Sequence, residues 1–217
     1  MSMGKTPFQR FTDNLQYAQR MIHGGVTLEK LGRARVDLGA LTSDNAPHPD
    51  DLYRASWTQC VSALDHWLHE AIIAYIVDHT GDINWKRPAR LEALKLSMGE
   101  AERLYRGSTP ARVVIRQFLE RELKRSTYQK SSAITDGLRL ALHLDGGQIW
   151  KHIGDPLQLP AHQAIAKQDG IGERRDKIAH RADLDEQGQR TPMSATDAQL
   201  TLDWIAHVGT TIAGLLR

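Results

Sequence analysis

One uninterrupted stripe of apolar residues over positions 50–77 constrains the fold of this chain more than any other feature. Its members recur at spacings of three and four: Leu52, Cys60, Val61, Leu64, Trp67, Leu68, Ala71, Ile72, Tyr75 and Ile76. This periodicity is typical of one face of an α-helix, and it persists for about seven turns, whereas a strand would alternate at every second residue. The sequence therefore predicts a long core helix over residues 50–77.

The rest of the chain carries shorter helical patterns and no strand signal. Residues 8–22 predict a first helix that Gly24 and Gly25 end, and residues 27–41 predict a second helix before a turn-rich loop or hinge over 43–49. One further helix is expected from Pro88 to Gly107, and another after a cap at Thr109. A shorter helix should run from Ile134 to the break at Gly146 and Gly147, and the next should begin near Ile171, after Gly170. Beyond a polar loop over 185–192, Ser194 or Thr196 is expected to cap the last helix. We therefore predict an all-α fold, with N-terminal helices over residues 1–49 packed on a helical domain over residues 50–217.

Composition narrows the class of protein. The 217 residues are 41% hydrophobic, which is enough for a sizeable core and excludes a chain that is disordered throughout. The formal net charge of +2 is too small to indicate a nucleic-acid-binding protein by itself. Any site for a polyanion must therefore come from local clustering of Arg and Lys.

Cysteine content and hydropathy bear on the compartment. The single cysteine, Cys60, cannot form an internal disulfide, and its place in the apolar stripe predicts a buried thiol. The longest apolar stretch, residues 71–77, is far short of the roughly 20 residues of a membrane helix, and the polar N-terminus lacks the apolar region of a signal peptide. We expect a cytoplasmic protein that does not bind membranes.

The segment Glu173-Arg174-Arg175-Asp176-Lys177-Ile178-Ala179-His180-Arg181 is the most unusual in the chain, because four cations, two carboxylates and a histidine surround only two apolar residues. It fits a solvent-facing helix end with intrahelical ion pairs, and it also fits a functional site. Asp176 and His180 share a helix face, so the carboxylate can bind one imidazole nitrogen and fix the tautomer. Arg175 lies about 140° round the helix from His180, yet its long side chain can swing back toward the same phosphate.

Three parts of the sequence resemble a known superfamily. Arg175, Asp176 and His180 match the Arg-polar-x-x-x-His signature of HEPN domains, in which the polar residue is commonly Asn, Asp or His. Two further parts of the sequence resemble the RiboL-PSP subgroup of that superfamily. The first is Leu52-Tyr53-Arg54-Ala55 followed by Ser62-Ala63-Leu64-Asp65, and the second is Thr127-Tyr128-Gln129-Lys130-Ser131 followed by Ile134 and Ile149-Trp150. Asp176 replaces the Asn of many members, and an ionised Asp accepts hydrogen bonds without donating any.

The resemblance implies a HEPN-type bundle of antiparallel core helices that dimerises through the motif face, so that two copies of Arg175 and His180 meet in one cleft. It implies RNA cleavage with neither metal nor cofactor. One His180 would take the proton of the ribose 2′-OH, the other would protonate the leaving 5′-oxygen, and Arg175 would stabilise the phosphoryl charge. Arg174, Lys177 and Arg181 are the expected RNA-binding neighbours.

Two other clusters were candidates for chemistry. Among Asp65, His66, His69 and Glu70, Asp65 and His69 lie four residues apart on the helix, but no second ligand set is visible elsewhere, so no metal site is predicted. Asp65 is a candidate second-shell residue near the cleft, or it makes a structural hydrogen bond. The basic residues from Arg112 to Lys130 form a solvated face or, with Tyr128 as a stacking surface, an RNA-backbone site.

The leading hypothesis is a homodimeric ribonuclease of the toxin or defence kind that cuts single-stranded or looped RNA. A cognate antitoxin or regulatory protein is a further expected partner. A non-catalytic HEPN module that binds RNA, a nucleotide or a partner protein is the main alternative. In a third hypothesis the chain is a helical scaffold whose charged motif only supports an interface.

Overall fold

A computed structural model describes residues 4–33, 48–107 and 109–217 of the chain. These residues form nine α-helices and no strand, with one isolated antiparallel bridge between Leu184 and Arg190. The helices are α1 (Pro7–Arg33), α2 (Pro49–His79), α3 (Ala89–Glu92), α4 (Met98–Arg106), α5 (Ala111–Leu123), α6 (Ser131–Ala141), α7 (Gly146–Gly154), α8 (Ala161–Arg181) and α9 (Ala195–Leu215). A short 3-10 helix, Asp155–Leu157, follows α7. The prediction of an all-α fold is confirmed.

Helix α2 is the long core helix that the apolar stripe predicts. Leu64, Leu68 and Ile72 are fully buried along it, because the three residues follow one another at helical spacing on the apolar face. Cys60 is also fully buried, and burial raises the pKa of its thiol to about 12. The expectation of a buried thiol is confirmed.

Helix α1 corrects the prediction for the N-terminus, since it continues through Gly24 and Gly25 to Arg33. A Cβ atom on Gly25 would lie 2.4 Å from Cε1 of the Tyr53 ring. Glycine at this position therefore allows α1 and α2 to approach closely instead of ending a helix. Residues 34–47, which include the end of the predicted second helix and most of the predicted loop, lie outside the described residues.

The region predicted as one helix from Pro88 to Gly107 contains two, α3 and α4. The reason is a capping box: Ser97 Oγ accepts the Glu100 amide at 3.3 Å, and Glu100 Oε2 accepts the Ser97 amide at 2.8 Å, so a new helix begins here. Gly107 closes α4 in the left-handed region, as expected. Pro110, and not Thr109, is the N-cap residue of α5.

Two further boundaries differ from the predicted ones. Gly146 and Gly147 lie inside the first turn of α7, because Asp145 caps that helix in a capping box with Gln148. Helix α8 begins at Ala161, well before Ile171, and Gly170 lies within it. The error at α7 comes from interpreting two glycines as a break where a capping residue begins a helix, and Gly170 does not interrupt α8.

Of the two residues predicted to cap the last helix, Ser194 makes the capping hydrogen bonds at the start of α9. Ser194 Oγ accepts the amide of Asp197 at 3.1 Å and the Asp197 carboxylate accepts the amide of Ser194 at 2.9 Å, whereas Thr196 lies inside the helix. Of the expected stripe, Leu202, Ile205, Val208 and Ile212 are buried, while Leu215 is half-buried.

The chain divides into two compact units. The first comprises the described residues of Met1–Leu64 together with Asp169–Thr210, and the second comprises those of Asp65–Gln168 with Thr211–Arg217. The charged motif and its flanking loop belong to the first unit. In the part of the chain that the structure describes, no helix has the length and hydrophobicity to cross a membrane.

Candidate functional site

The Arg-polar-x-x-x-His residues occupy the last two turns of α8. Arg175 is largely buried, with 21% of its side chain exposed, and its Nη1 lies 3.4 Å from Oδ1 of Asp176. His180 is exposed in the last turn. Helix α8 is fixed just upstream of the motif, because the Trp57 indole of α2 donates a hydrogen bond to the Ile171 carbonyl at 3.1 Å.

Asp176 does not make the contact that its spacing from His180 suggested. Its carboxylate lies against Arg175, and no hydrogen bond joins it to His180 anywhere in the described residues. The imidazole is therefore not held in one tautomer by this neighbour, and either ring nitrogen can face a ligand.

Three residues of the last turn form an exposed surface that we call the open face: Lys177, His180 and Arg181. Lys177 lies three residues before His180 and four before Arg181, which places all three on one side of the helix. Within residues 4–33, 48–107 and 109–217, none of these side chains has a hydrogen bond or ion pair. Two cations and an imidazole are thus available to an anionic ligand.

Arg174 points to a different environment. Its Nη2 donates to the Asp183 carboxylate at 2.8 Å and to the carbonyl oxygens of Thr191 at 3.1 Å and Pro192 at 3.2 Å. Only 22% of its side chain is exposed. The sequence predicted an RNA-binding role for Arg174, but here its terminal nitrogen is occupied by the loop after α8.

Arg54 of α2 binds the same loop from the other side. Its Nε donates to Asp183 Oδ2 at 2.9 Å and its Nη2 donates to the Thr191 carbonyl at 2.8 Å. Asp183 is fully buried and Arg54 is 9% exposed. We call Arg54, Arg174 and Asp183 the arginine clamp.

Acidic residues in the first turn of α2 balance the charge around the clamp. Arg54 lies 3.4 Å from Asp51 and 3.9 Å from Asp50, and Asp51 also accepts a hydrogen bond from Arg190 at 2.6 Å. Three carboxylates thus face three guanidinium groups. Such compensation is what a buried carboxylate requires, because an unpaired buried charge is strongly destabilising.

The loop after α8 is tightly ordered. Ala182 and Asp183 adopt left-handed backbone angles, with φ of 49° and 60°, although neither is glycine. The Asp183 amide donates to the Lys177 carbonyl at 3.0 Å, and its own carbonyl accepts the Thr191 amide at 2.9 Å. Asp185 Oδ1 accepts the amides of Gln187 and Gln189 and closes the turn. The polar loop that was predicted therefore has a fixed start and end.

No pattern in the sequence indicates the clamp. Arg54 stands out only as part of the Leu52-Tyr53-Arg54-Ala55 segment, and nothing distinguishes Asp183 from other loop acids. The available signal was the pair Asp50 and Asp51, four and three residues before Arg54, which is the spacing of helical ion pairs. That spacing cannot reveal a partner 129 residues away in the chain.

Asp65, in the second unit, makes a structural contact. Its Oδ1 accepts the amide of Tyr128 at 2.5 Å, and His69 Nε2 lies 3.0 Å from the Ser126 carbonyl. Both side chains therefore hold the segment between α5 and α6. Over the described ranges, no group of three or more His, Cys, Asp or Glu side chains has a geometry suited to a metal ion.

Tyr128 is unavailable as a stacking surface, since it is 2% exposed and its ring packs against His69 with centroids 4.5 Å apart. Burial raises the pKa of its phenol to about 12. On α5, Arg112 is ion-paired with Asp78, and Arg121 with Glu100 and Glu122. These pairs agree with a solvated, charge-balanced face.

Comparisons of the chain with protein-family models, with curated proteins and with solved structures found no match.

Proposed function

We propose that the chain is a metal-independent endoribonuclease of the HEPN type, active as a homodimer in which two open faces share one cleft. The observation that carries the proposal is the exposed His180 between Lys177 and Arg181, whose ring has no hydrogen bond or ion pair within the described residues, on a helix end that buried contacts hold in place. Two cations and a group that can transfer a proton therefore share one exposed surface.

The chemistry needs two proton-transfer groups. One His180 removes the proton of the ribose 2′-OH, and the resulting oxygen attacks the adjacent phosphorus. The bond from phosphorus to the 5′-oxygen breaks as the partner protomer's His180 gives that oxygen a proton. The products are a 2′,3′-cyclic phosphate and a 5′-hydroxyl. An imidazole suits both roles because its ordinary pKa is close to neutrality.

Arg175 is the proposed ligand of the phosphoryl oxygens. Its guanidinium already extends toward Asp176, and Asp176 lies only about 40° round the helix from His180. A small rotation from Asp176 toward His180 would bring the guanidinium to the cleft. Two donor nitrogens of one planar group can then stabilise the charge that develops on phosphate oxygens.

Lys177 and Arg181 are the proposed contacts to the RNA backbone. Single-stranded or looped RNA is the proposed substrate, because its flexible ribose can align the 2′-oxygen with the leaving group. A ribonuclease of the toxin or defence kind requires restraint, so a cognate antitoxin or regulatory protein is the further partner that we propose.

The direct test is incubation of purified protein with total cellular RNA in excess EDTA. We expect cleavage, and we expect His180→Ala to lower its rate by at least about a hundredfold because proton transfer is lost. His162→Ala is the matched control, since His162 is another exposed histidine of α8. RNA binding without cleavage would favour the non-catalytic module, and an equal effect of the two variants would contradict the role of His180.

The proposed dimer has its own test. Light scattering at micromolar concentration should give twice the mass of one chain, because a single His180 cannot act as base and acid in the same step. A monomer that cleaves RNA at the full rate would contradict the composite cleft.

A further inference from the structure

The arginine clamp contains more buried charge than stability alone explains. Both guanidinium groups bind one oxygen, Oδ2 of the fully buried Asp183. Removing such groups from water costs so much that apolar side chains of similar size often stabilise a protein equally well. A buried ion pair can instead specify one geometry of the groups around it.

The backbone at the clamp supports the same explanation. Ala182 and Asp183 occupy the left-handed region without being glycine. Asp tolerates this conformation better than most residues, but Ala adopts it at a cost that surrounding contacts must offset. These angles turn Asp183 inward to the two arginines. The chain thus accepts local strain in order to place one carboxylate under the end of α8.

The clamp encloses the turn that bears His180. Arg174 lies six residues before His180 and Asp183 lies three residues after it, and Arg54 binds Asp183 and the Thr191 carbonyl together. The Asp183 amide also closes the last turn onto the Lys177 carbonyl. The direction of the His180 side chain therefore depends on contacts that His180 does not make itself.

We propose that Arg54, Arg174 and Asp183 are positioning residues that orient His180 for RNA cleavage, and that Arg174 acts through the clamp and not by binding RNA. The proposal rests on the proposed function. Arg54 acts through its shape as well as its charge, because two different nitrogens reach two acceptors at once. A lysine would keep the charge but could not span both acceptors.

The experiment compares Arg54→Lys and Asp183→Asn with two controls on the same loop, Arg190→Ala and Asp185→Ala. Arg190 is 56% exposed at the edge of the charge network, and Asp185 only closes the turn. Each protein is assayed for kcat and KM on one RNA and for amide hydrogen exchange over residues 174–193. Exchange needs no RNA, so it tests the clamp even if the wild-type protein cleaves nothing, a result that would overturn the proposed function instead.

We expect the two clamp variants to lose about tenfold to a hundredfold in kcat, with KM changed by less than about threefold, because a small misplacement of the imidazole slows the chemical step more than binding. Their amides at residues 178–184 should exchange at least about tenfold faster, while those of α2 should not. Both controls should keep the wild-type kcat. Faster exchange with unchanged kcat, or unchanged exchange, would overturn the positioning role.

Arg174→Gln covers the case in which the buried variants do not fold, since Arg174 is the most exposed member of the clamp. Positioning predicts a lower kcat and an unchanged dependence of RNA affinity on salt concentration. If Arg174→Gln instead leaves kcat unchanged and weakens that salt dependence, Arg174 binds RNA and its assignment to the clamp mechanism is wrong.

Discussion

The last two turns of α8 have two sides that differ sharply. On the inner side, Arg174 is held by Asp183 and two carbonyl groups in a buried network. On the open face, Lys177, His180 and Arg181 are exposed and have no side-chain partner in the described residues. Residues that look alike in sequence are thus divided between fixing the helix end and facing a ligand.

The arginines show the division most clearly. Arg174, Arg175 and Arg181 lie within eight positions of one helix, yet one is bound to a buried carboxylate, one lies beside Asp176 and one is open to solvent. A positive charge near a helix end is therefore no evidence of ligand binding until its partners are known.

The largest expected effect is a difference in stability between variants on the two sides of the helix end. Asp183→Ala should lower the free energy of unfolding by about 3–5 kcal/mol, because it leaves two largely buried guanidinium groups without their shared carboxylate. Arg181→Ala should change that free energy by less than about 0.5 kcal/mol. Urea denaturation measures both, and similar losses in the two variants would remove the distinction between the sides.

The next effect concerns RNA affinity. Lys177→Ala and Arg181→Ala should each remove one phosphate contact, so that the slope of log K against log salt concentration falls by about 0.7 for single-stranded RNA. Arg112→Ala is the control, because Arg112 is ion-paired with Asp78 on a different helix. A titration of a labelled RNA over a range of salt concentrations measures the slopes. Equal slopes for all four proteins would mean that the open face does not bind RNA.

The smallest effect links the clamp to the start of α9. Hydrogen bonds from Ser194 hold the pKa of Asp197 below its usual value, and the charge of Arg174 lowers it further. Arg174→Ala should therefore raise the pKa of Asp197 while leaving it below the value of a free aspartate. Carboxyl-detected NMR titration measures the shift, and an unchanged pKa would show that Arg174 does not act on this carboxylate.

The sign of the linked stability effect follows from the direction of the shift. A carboxyl whose pKa is lowered on folding stabilises the native state at neutral pH, and this stabilisation is lost as the pH falls below about 4 through the folded-state pKa. Arg174→Ala should make that loss smaller. The comparison is made between wild-type and variant protein at pH 3 and pH 7, and a larger acid loss in the variant would contradict the account.

The sequence predicted the fold well where a long periodic stripe or one of its predicted caps determines an element. The apolar stripe predicted α2, and Ser194, one of the two predicted caps, begins α9. The capping boxes at Ser97 and Asp145 are equally local, yet the predicted boundaries missed them. Gly25 misled the prediction because its role depends on the Tyr53 ring, which lies on another helix. Helix boundaries set by packing cannot be read from one segment.

The candidate site was predictable in part for the same reason. Arg175, Asp176 and His180 form a local pattern, so the sequence could single them out. The role of Arg54 could not be predicted, since its partners Asp183 and Thr191 are distant in the chain and meet only through the fold. For Asp176, the spacing predicted a contact that the fold does not make. It permits a hydrogen bond to His180, but the side chain lies against Arg175.

Attack by the ribose oxygen is the central claim, and one substituted substrate tests it directly. After the cleavage position in a short RNA is mapped, the same RNA is made with a single 2′-deoxyribose immediately 5′ of the scissile phosphate. We expect the all-ribose RNA to yield a 2′,3′-cyclic phosphate and a 5′-hydroxyl, while the substituted RNA stays intact at that position, because the attacking oxygen is missing. Cleavage of the substituted RNA at the same position and rate would contradict this claim.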